Sequence, residues 1–231
     1  MYESIFKRVE EKYLLTLEQW NLLFQNINKN IERDKFYEST ICNIYFDTED
    51  NKLIINSLEK PIYKEKVRLR SYNVPNLDDN VFLEIKSKYK GTVGKRRIKL
   101  TLKDFYRYLN DNNVPGDQQI MKELDYLFKY YKLIPSYFIA YDRKSYRGCI
   151  EKDLRITIDS NLRSRKEDLR LELGDAGKKY FDSDKCIMEI KTLGAMPLWL
   201  VRNLSELQIY PISFSKYGSI YKKEKEGMYV K

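Results

Sequence analysis

Apolar residues recur at steps of three and four in four segments of the chain, which is the spacing of helices with one buried face. The first segment is opened by Thr16 and Gln19, a capping-box pair, and its apolar stripe runs to Ile31. Pro197 stands at the expected first position of the last segment. The four predicted helices cover residues 16–31, 101–110, 120–131 and 197–207.

Other segments alternate charged and apolar residues with the period of two that is typical of strands. In the segment 64–72 one face carries Lys64, Lys66, Arg68, Arg70 and Tyr72, and the other carries Glu65, Val67, Leu69 and Ser71. The eight predicted strands start with the stretch that aligns Arg8, Glu10 and Lys12 and continue at residues 40–47, 64–72, 81–88, 92–99, 137–146, 154–159 and 187–192.

The charged faces of three well-separated strands repeat one unit, a glutamate followed two residues later by a lysine. The three pairs are Glu10 with Lys12, Glu84 with Lys86, and Glu189 with Lys191. One wet side of an antiparallel sheet would explain a single charged face. The repeat indicates a cavity in which cations neutralise phosphate oxygens and carboxylates hold a bridging metal. We therefore predict an α+β fold, a closed eight-stranded antiparallel β-barrel with its charges inside and its helices packed on the outside.

The composition agrees with one domain that binds a polyanion. The 231 residues are 42% hydrophobic, and no linker or low-complexity tract interrupts them, so we predict a single domain over residues 1–231. Lysine and arginine number 43 against 34 aspartates and glutamates, a formal charge of +9. The start has no apolar signal-peptide region and no long apolar run follows, so we expect a cytoplasmic protein.

The absence of histidine excludes several kinds of chemistry at once, including the Ser-His-Asp and Cys-His nucleophilic systems. A metal would have to bind carboxylates, which favours Mn²⁺ or Mg²⁺. The stretch 89–96 resembles a phosphate-binding loop only superficially, because Tyr89 replaces its first glycine and Arg96 its Ser/Thr. Cys42, Cys149 and Cys186 are expected to be reduced core thiols.

Eight short motifs, in order, resemble the VTC domain, the polyphosphate-polymerase branch of the triphosphate tunnel metalloenzymes. They are Arg8-Val-Glu-Glu-Lys12-Tyr-Leu, Ile44-Tyr-Phe-Asp47-Thr, Val67-Arg68-Leu-Arg70, Phe82-Leu-Glu84-Ile-Lys86, Tyr141-Asp-Arg143, Leu154-Arg155-Ile-Thr-Ile-Asp159, Met188-Glu189-Ile-Lys191 and Phe214-Ser215-Lys216-Tyr217. The resemblance runs nearly from end to end of the chain. It implies a tunnel that binds a nucleoside triphosphate and a growing polyphosphate chain through basic side chains.

The resemblance implies roles for sixteen positions. The catalytic set is Lys12, Arg68, Arg70, Lys86, Arg143 and Lys216; the substrate-binding set is Glu10, Lys66, Lys95, Arg97, Arg155, Lys191, Ser215 and Tyr217; the metal ligands are Glu189 and Glu84. Whether Lys95 or Arg97 faces the tunnel is left open, and so is whether Glu10 and Glu84 bind metal or serve as counter-ions.

Two positions depart from the patterns of the related families. The branch of thiamine triphosphatases and class IV adenylate cyclases opens with Glu-x-Glu-x-Lys, and Arg8 stands where its first glutamate would fall, which favours the polymerase branch. Ser213 stands where VTC domains usually carry a basic residue, and this leaves the level of activity open.

The leading hypothesis is transfer of the γ-phosphoryl group of ATP, or of another nucleoside triphosphate, to polyphosphate with Mn²⁺ or Mg²⁺ as cofactor. The alternatives are a metal-dependent triphosphatase of the same fold and a non-catalytic protein that binds polyphosphate or nucleic acid. No sequence-specific nucleic acid is expected as a partner, whereas a membrane partner protein is compatible with the sequence.

Overall fold

A computed structural model describes residues 8–229 except 91, 112–115, 117 and 182–183; the side chains of residues 8, 228 and 229 are not part of the description. Nine strands are found within these limits: β1 (Arg8–Thr16), β2 (Ile31–Asp47), β3 (Tyr63–Tyr72), β4 (Asn80–Tyr89), β5 (Thr92–Thr101), β6 (Ile134–Gly148), β7 (Arg155–Arg165), β8 (Lys178–Lys179) and β9 (Lys185–Leu193). The described helices are α1 (Leu17–Ile27), α2 (Lys52–Leu58), α3 (Leu102–Asp111), α4 (Gln119–Tyr131), α5 (Leu198–Glu206) and α6 (Lys216–Tyr229).

The strands form one sheet in the hydrogen-bonded order β1-β9-β7-β6-β2-β3-β4-β5, with the short β8 paired to β7. All eight predicted strands are confirmed. The pairs β1–β9, β7–β9, β2–β3, β3–β4 and β4–β5 are antiparallel, as predicted. The order has β1 and β5 at its two ends, so the closure of the sheet into a barrel stays a prediction.

The chain divides into two compact units, and the boundaries fall within β2, β6, β7 and β8 and between Phe214 and Ser215. Unit 1 comprises Met1–Ser39, Tyr141–Leu162 and Lys179–Phe214, and unit 2 comprises Thr40–Ala140, Arg163–Lys178 and Ser215–Lys231. Each unit has a hydrophobic core of its own. A single domain over residues 1–231 stays a prediction.

The core of each unit lies between the apolar faces of its strands and its helices, as the alternation predicted. In unit 2, Leu69 and Leu83 are fully buried and pack in one cluster with Phe105 of α3 and Leu124 of α4. In unit 1 the corresponding cluster joins β1, β7 and β9 to α1 and α5. The charged residues of the same strands therefore lie on the opposite faces of the sheet.

Two helix predictions need correction, and two helices were not predicted. Helix α1 ends at Ile27 rather than Ile31, because a turn closes on Ile27 and Ile31 begins β2. Pro197 is the N-cap of α5 rather than its first residue. Both α2 and α6 were missed: α2 has seven residues, too few to show a period, and among the described side chains of α6 only Tyr217, Ile220 and Tyr221 are buried.

The capping predictions hold in detail. Gln19 N–H donates to Thr16 Oγ1 and Thr16 N–H donates to Gln19 Oε1, each at 3.0 Å, and this starts α1. Asp104 N–H donates to Thr101 Oγ1 at 3.0 Å at the start of α3. Within the described residues no helix is both long and apolar enough to cross a membrane.

Candidate functional site

Charged residues form rows across β3, β4 and β5, because the antiparallel register places residues of one face side by side. The first row is Lys66, Lys86 and Lys95, the second is Arg68, Glu84 and Arg97, and Arg70 lies in the third beside Phe82. We call Lys66, Arg68, Arg70, Glu84, Lys86, Lys95 and Arg97 the basic face of unit 2. Since it combines six cations with one carboxylate, it has a strong excess of positive charge.

Glu84 lies at the centre of the basic face and is 1% exposed. Its Oε2 is 2.8 Å from Arg68 Nε, and its Oε1 is 2.7 Å from Lys95 Nζ without good hydrogen-bond geometry, so that contact is ionic. Arg70 and Arg97 approach the same carboxylate at 4.0 Å. Burial would raise the pKa of Glu84, but Arg68, Arg70 and Lys95 outweigh burial and lower the pKa to about 2. Both Lys95 and Arg97 therefore belong to this face.

Polar residues of β2 hold the arginines in place. Arg68 NH1 donates to Tyr45 Oη at 3.1 Å, and Arg70 Nε donates to Asn43 Oδ1 at 2.9 Å. Asn43 Nδ2 in turn donates to the Ile139 carbonyl at 3.0 Å, within the same unit. Sequence reasoning did not include Asn43 and Tyr45 among the site residues. They could have been identified from their position on alternate residues of the predicted strand 40–47, which ends at Asp47.

The start of α6 contacts the basic face. Lys66 Nζ donates to Ser215 Oγ at 2.9 Å, and Ser215 Oγ also accepts from the backbone N–H of Gly218 at 3.3 Å. Lys216, the first residue of α6, is half-buried. The predicted residues Ser215 and Lys216 thus lie at a helix start that Lys66 joins to β3.

Tyr217, predicted to contact substrate, is 2% exposed, and its hydroxyl is engaged inside unit 2. Its contact with substrate stays a prediction. The hydroxyl donates to Asp47 Oδ2 at 2.8 Å, and the same carboxylate accepts the N–H groups of Leu53 and Ile54 at the start of α2. Burial raises the pKa of Asp47 although these hydrogen bonds act in the opposite direction. The Tyr217 ring stacks on Tyr45 at 4.6 Å, so it positions the start of α6.

Unit 1 places acidic and basic residues in alternation across β1, β9 and β7. One row is Glu10, Lys191 and Arg155, and the next is Lys12, Glu189 and Thr157. We call Glu10, Lys12, Arg155, Glu189 and Lys191 the mixed face of unit 1. Unlike the basic face, it has nearly as many carboxylates as cations.

Two carboxylates of the mixed face meet at one ammonium group. Lys191 Nζ forms an ion pair with Glu189 and lies 3.8 Å from Glu10 Oε2. Lys12 Nζ lies 3.1 Å from Glu10 Oε1 and donates to the Phe214 carbonyl at 3.3 Å. The carboxylates of Glu10 and Glu189 are thus directed at a common position that a cation already occupies.

Arg143 and Asp159 form a bidentate pair in unit 1, with Nε to Oδ1 at 2.6 Å and NH2 to Oδ2 at 2.7 Å. Burial would lower the pKa of Arg143, but Tyr141 and Asp159 outweigh it and raise the pKa. Asp159 is 2% exposed and was not among the predicted site residues, although it ends one of the quoted motifs. Arg155 is exposed and lies 3.7 Å from Asp34.

The donors of the mixed face suit a hard divalent cation. Glu10 and Glu189 offer carboxylate oxygens that already converge on one cation. The buried hydroxyl of Thr157, beside Glu189 in the register, has no hydrogen-bond partner among the residues that the structure describes. Glu84 fits less well, because four cations of the basic face, Arg68, Arg70, Lys95 and Arg97, surround its carboxylate. In the described parts of the chain, no three acidic, histidine or cysteine side chains group as metal ligands. A metal held by two carboxylates would complete its shell with water and phosphate oxygens, as Mg²⁺ commonly does.

Comparison with known proteins decides the family, since residues 7–224 match the VTC domain. The chain belongs to the VTC domain family. It is 24% identical over 184 residues to vacuolar transporter chaperone complex subunit 4 of Schizosaccharomyces pombe. That match covers 69% of this VTC domain chain but 25% of the fission yeast protein, so the chain spans about a quarter of the length of this relative.

Solved structures share the fold of this VTC domain. A putative adenylate cyclase of Bacillus halodurans has a TM-score of 0.55 at 13% identity, covering 90% of this chain and 93% of the other. A putative adenylyl cyclase of Hippeastrum, described as having a dominant triphosphatase activity, has a TM-score of 0.56 at 14% identity, covering 94% and 96%. At these identities the likeness supports the antiparallel sheet with helices, and nothing about activity.

Proposed function

We propose that this VTC domain is a polyphosphate polymerase, which transfers the γ-phosphoryl group of ATP to the end of a polyphosphate chain. The basic face of unit 2 carries the proposal: it sets six cations around one carboxylate on three adjacent strands. Four of these cations are buried or half-buried, namely Lys66, Arg68, Arg70 and Lys86, and such an excess of positive charge is costly unless an anion offsets it. A linear chain of phosphates suits rows of cations spaced by the strand separation.

The proposed roles follow the chemistry of the side chains. Arg68 and Arg70 bind phosphate oxygens with their planar guanidinium groups, while Lys66 and Lys86 act as point charges. Glu84 serves as the counter-ion that holds Arg68 and Lys95 in place between turnovers. Because phosphoryl transfer requires mainly positioning and charge neutralisation, this residue set can support it without histidine.

Glu10 and Glu189 are the proposed ligands of Mn²⁺ or Mg²⁺. When bound, the metal would neutralise charge on the phosphate oxygens. Lys191 would then release the two carboxylates and contact phosphate instead. Arg143, held by Asp159, keeps a fixed orientation from which its remaining guanidinium nitrogen can donate to a phosphate oxygen.

In the proposed reaction, an oxygen of the terminal phosphate of the chain forms a bond to the γ-phosphorus of ATP. The bond between that phosphorus and the β–γ bridging oxygen breaks, and ADP leaves. The closed tunnel is part of this proposal and rests on the family membership. A cytoplasmic location and a membrane partner protein are likewise proposals.

The test is incubation of the protein with ATP and Mn²⁺, with the products separated on a gel stained for polyphosphate. A ladder of polyphosphate that is lost in Glu189→Gln and kept in the exposed control Glu18→Gln supports the proposal. Release of orthophosphate alone would make the protein a triphosphatase, the second candidate; the Hippeastrum neighbour is described as having a dominant triphosphatase activity. Binding of polyphosphate without consumption of ATP would make it a non-catalytic binder.

A further inference from the structure

Unit 2 contains a cavity of about 450 Å³ on the face of the sheet opposite to the basic face. Glu65 of β3 and Ile85 of β4 form its base, and α4 covers it with Tyr126 and Leu127. Because side chains alternate along a strand, residues 65 and 85 point away from the row that contains Lys66 and Lys86. The cavity is therefore a separate site within the same unit.

The buried charge of this cavity is Glu65, which is 6% exposed. Tyr63 Oη donates to Glu65 Oε2 at 2.8 Å, and burial followed by this hydrogen bond raises the pKa of Tyr63 to about 12. Burial, followed by its interaction with Glu65, raises the pKa of Tyr131. Within the described residues Glu65 forms no ion pair. A carboxylate in this position offers free acceptor capacity to a cation inside the cavity.

The other charges of the cavity lie at its exposed rim. Arg96 NH1 is 2.5 Å from Glu123 Oε1, so these two groups neutralise each other. Lys122 is exposed, and water screens its charge. The electrostatic character of the interior therefore comes from Glu65.

Aromatic rings complete the lining. Tyr63 and Tyr126 border the cavity and are 48% and 61% exposed, which leaves ring surface available at the entrance. Faces of aromatic rings attract cations, and the volume lies in the range of sites for small molecules. Neither property would be needed by a cavity that was merely a packing defect.

We propose that this cavity binds a small organic ammonium ion, with Glu65 accepting the ammonium group and the rings of Tyr63 and Tyr126 flanking its carbon chain. The site is independent of the proposed polymerase activity. An aliphatic diamine has the matching chemistry, since one ammonium group reaches Glu65 while the carbon chain lies against the tyrosines and the second ammonium group reaches solvent.

The test is calorimetric titration of the protein with 1,4-diaminobutane, and with 1,4-butanediol as the uncharged analogue of equal length. Millimolar or tighter binding of the diamine, and at least tenfold weaker binding of the diol, are expected. Glu65→Gln should abolish diamine binding. The matched control is Glu172→Gln, which alters another glutamate that accepts from a tyrosine hydroxyl, Tyr106 at 2.6 Å, away from the cavity.

A second variant keeps the proposal testable if Glu65→Gln does not fold. Tyr126→Leu changes an exposed residue, so it should fold normally and weaken diamine binding several-fold, whereas Tyr210→Leu, also exposed, should leave binding unchanged. The proposal is overturned if the wild type does not bind the diamine, if diol and diamine bind equally, or if a folded Glu65→Gln protein binds the diamine as tightly as the wild type does.

Discussion

Glu84→Gln gives the sharpest test of how the basic face is held together. The variant keeps the size of the side chain but removes the one carboxylate that Arg68, Arg70 and Lys95 share. The fall of its pKa from 4.5 to about 2 corresponds to about 3 kcal/mol of stabilisation by folding. Since Glu84 is 1% exposed, little of this is lost to solvent screening.

The pH dependence has a definite sign. The folded-state pKa of Glu84 is lowered, so its contribution is fully present above the unfolded value of 4.5 and is lost as the pH falls towards about 2. In urea unfolding, Glu84→Gln should therefore be about 3 kcal/mol less stable than the wild type at pH 7 and about half as much at pH 3. Polyphosphate should also reduce the difference in stability between the wild type and Glu84→Gln, because this anion can replace the missing negative charge.

Glu123→Gln is the matched control, since Glu123 pairs with Arg96 of β5 at the surface, with side chains 31% and 53% exposed. It should cost about 1 kcal/mol or less, with little dependence on pH. If Glu84→Gln costs the same at pH 7 and pH 3, its effect is steric and the electrostatic reasoning is refuted. A cost no larger than that of Glu123→Gln would refute it as well.

Three further predictions concern stability and can be checked by thermal or urea unfolding. Tyr217→Phe leaves the buried Asp47 without its hydroxyl donor and should cost about 1–3 kcal/mol; an unchanged midpoint would contradict the positioning role. Asp159→Asn breaks the bidentate pair with Arg143 and should cost about 3–5 kcal/mol, more than any exposed Asp→Asn change in the same unit. Leu83→Ala opens a cavity in the fully buried core of unit 2 and should cost about 2–5 kcal/mol without changing anion binding.

The strands could be predicted from the sequence because each shows its two faces directly. In β3, Arg68 belongs to a charged face and Leu69 to an apolar face, and in the structure these faces lie on opposite sides of the strand. Helix α1 was predicted for a similar reason, since Thr16 and Gln19 mark its start. Its end was misplaced because Ile31 continues the apolar spacing although it belongs to a strand.

The partners of the site residues were harder to predict, because they depend on contacts between distant segments. Tyr217 could be recognised as part of a motif, but its burial against Asp47 arises only when α6 packs beside α2. Asp159 pairs with Arg143 across sixteen positions of the chain. Alternation places such residues on a face, whereas it does not say which of them contact one another.

The cavity beneath α4 could not be predicted from the sequence either, because it also depends on contacts between distant segments. Glu65 interrupts the apolar face of β3, and alternation alone gives no reason for a carboxylate there. The lining of the cavity comes from four elements, β3, β4, β5 and α4, so only the folded chain shows that Tyr63 and Tyr126 border a space beside Glu65.

The most direct test of the central claim, that the basic face of unit 2 binds phosphate chains, is calorimetric titration with tripolyphosphate. Lys86 lies in the middle of its lysine row, so Lys86→Gln should weaken binding about tenfold, the equivalent of about 1.4 kcal/mol. Lys129→Gln, which alters an exposed lysine of α4, should bind as the wild type does. Equal affinities of the wild type, Lys86→Gln and Lys129→Gln would contradict the account.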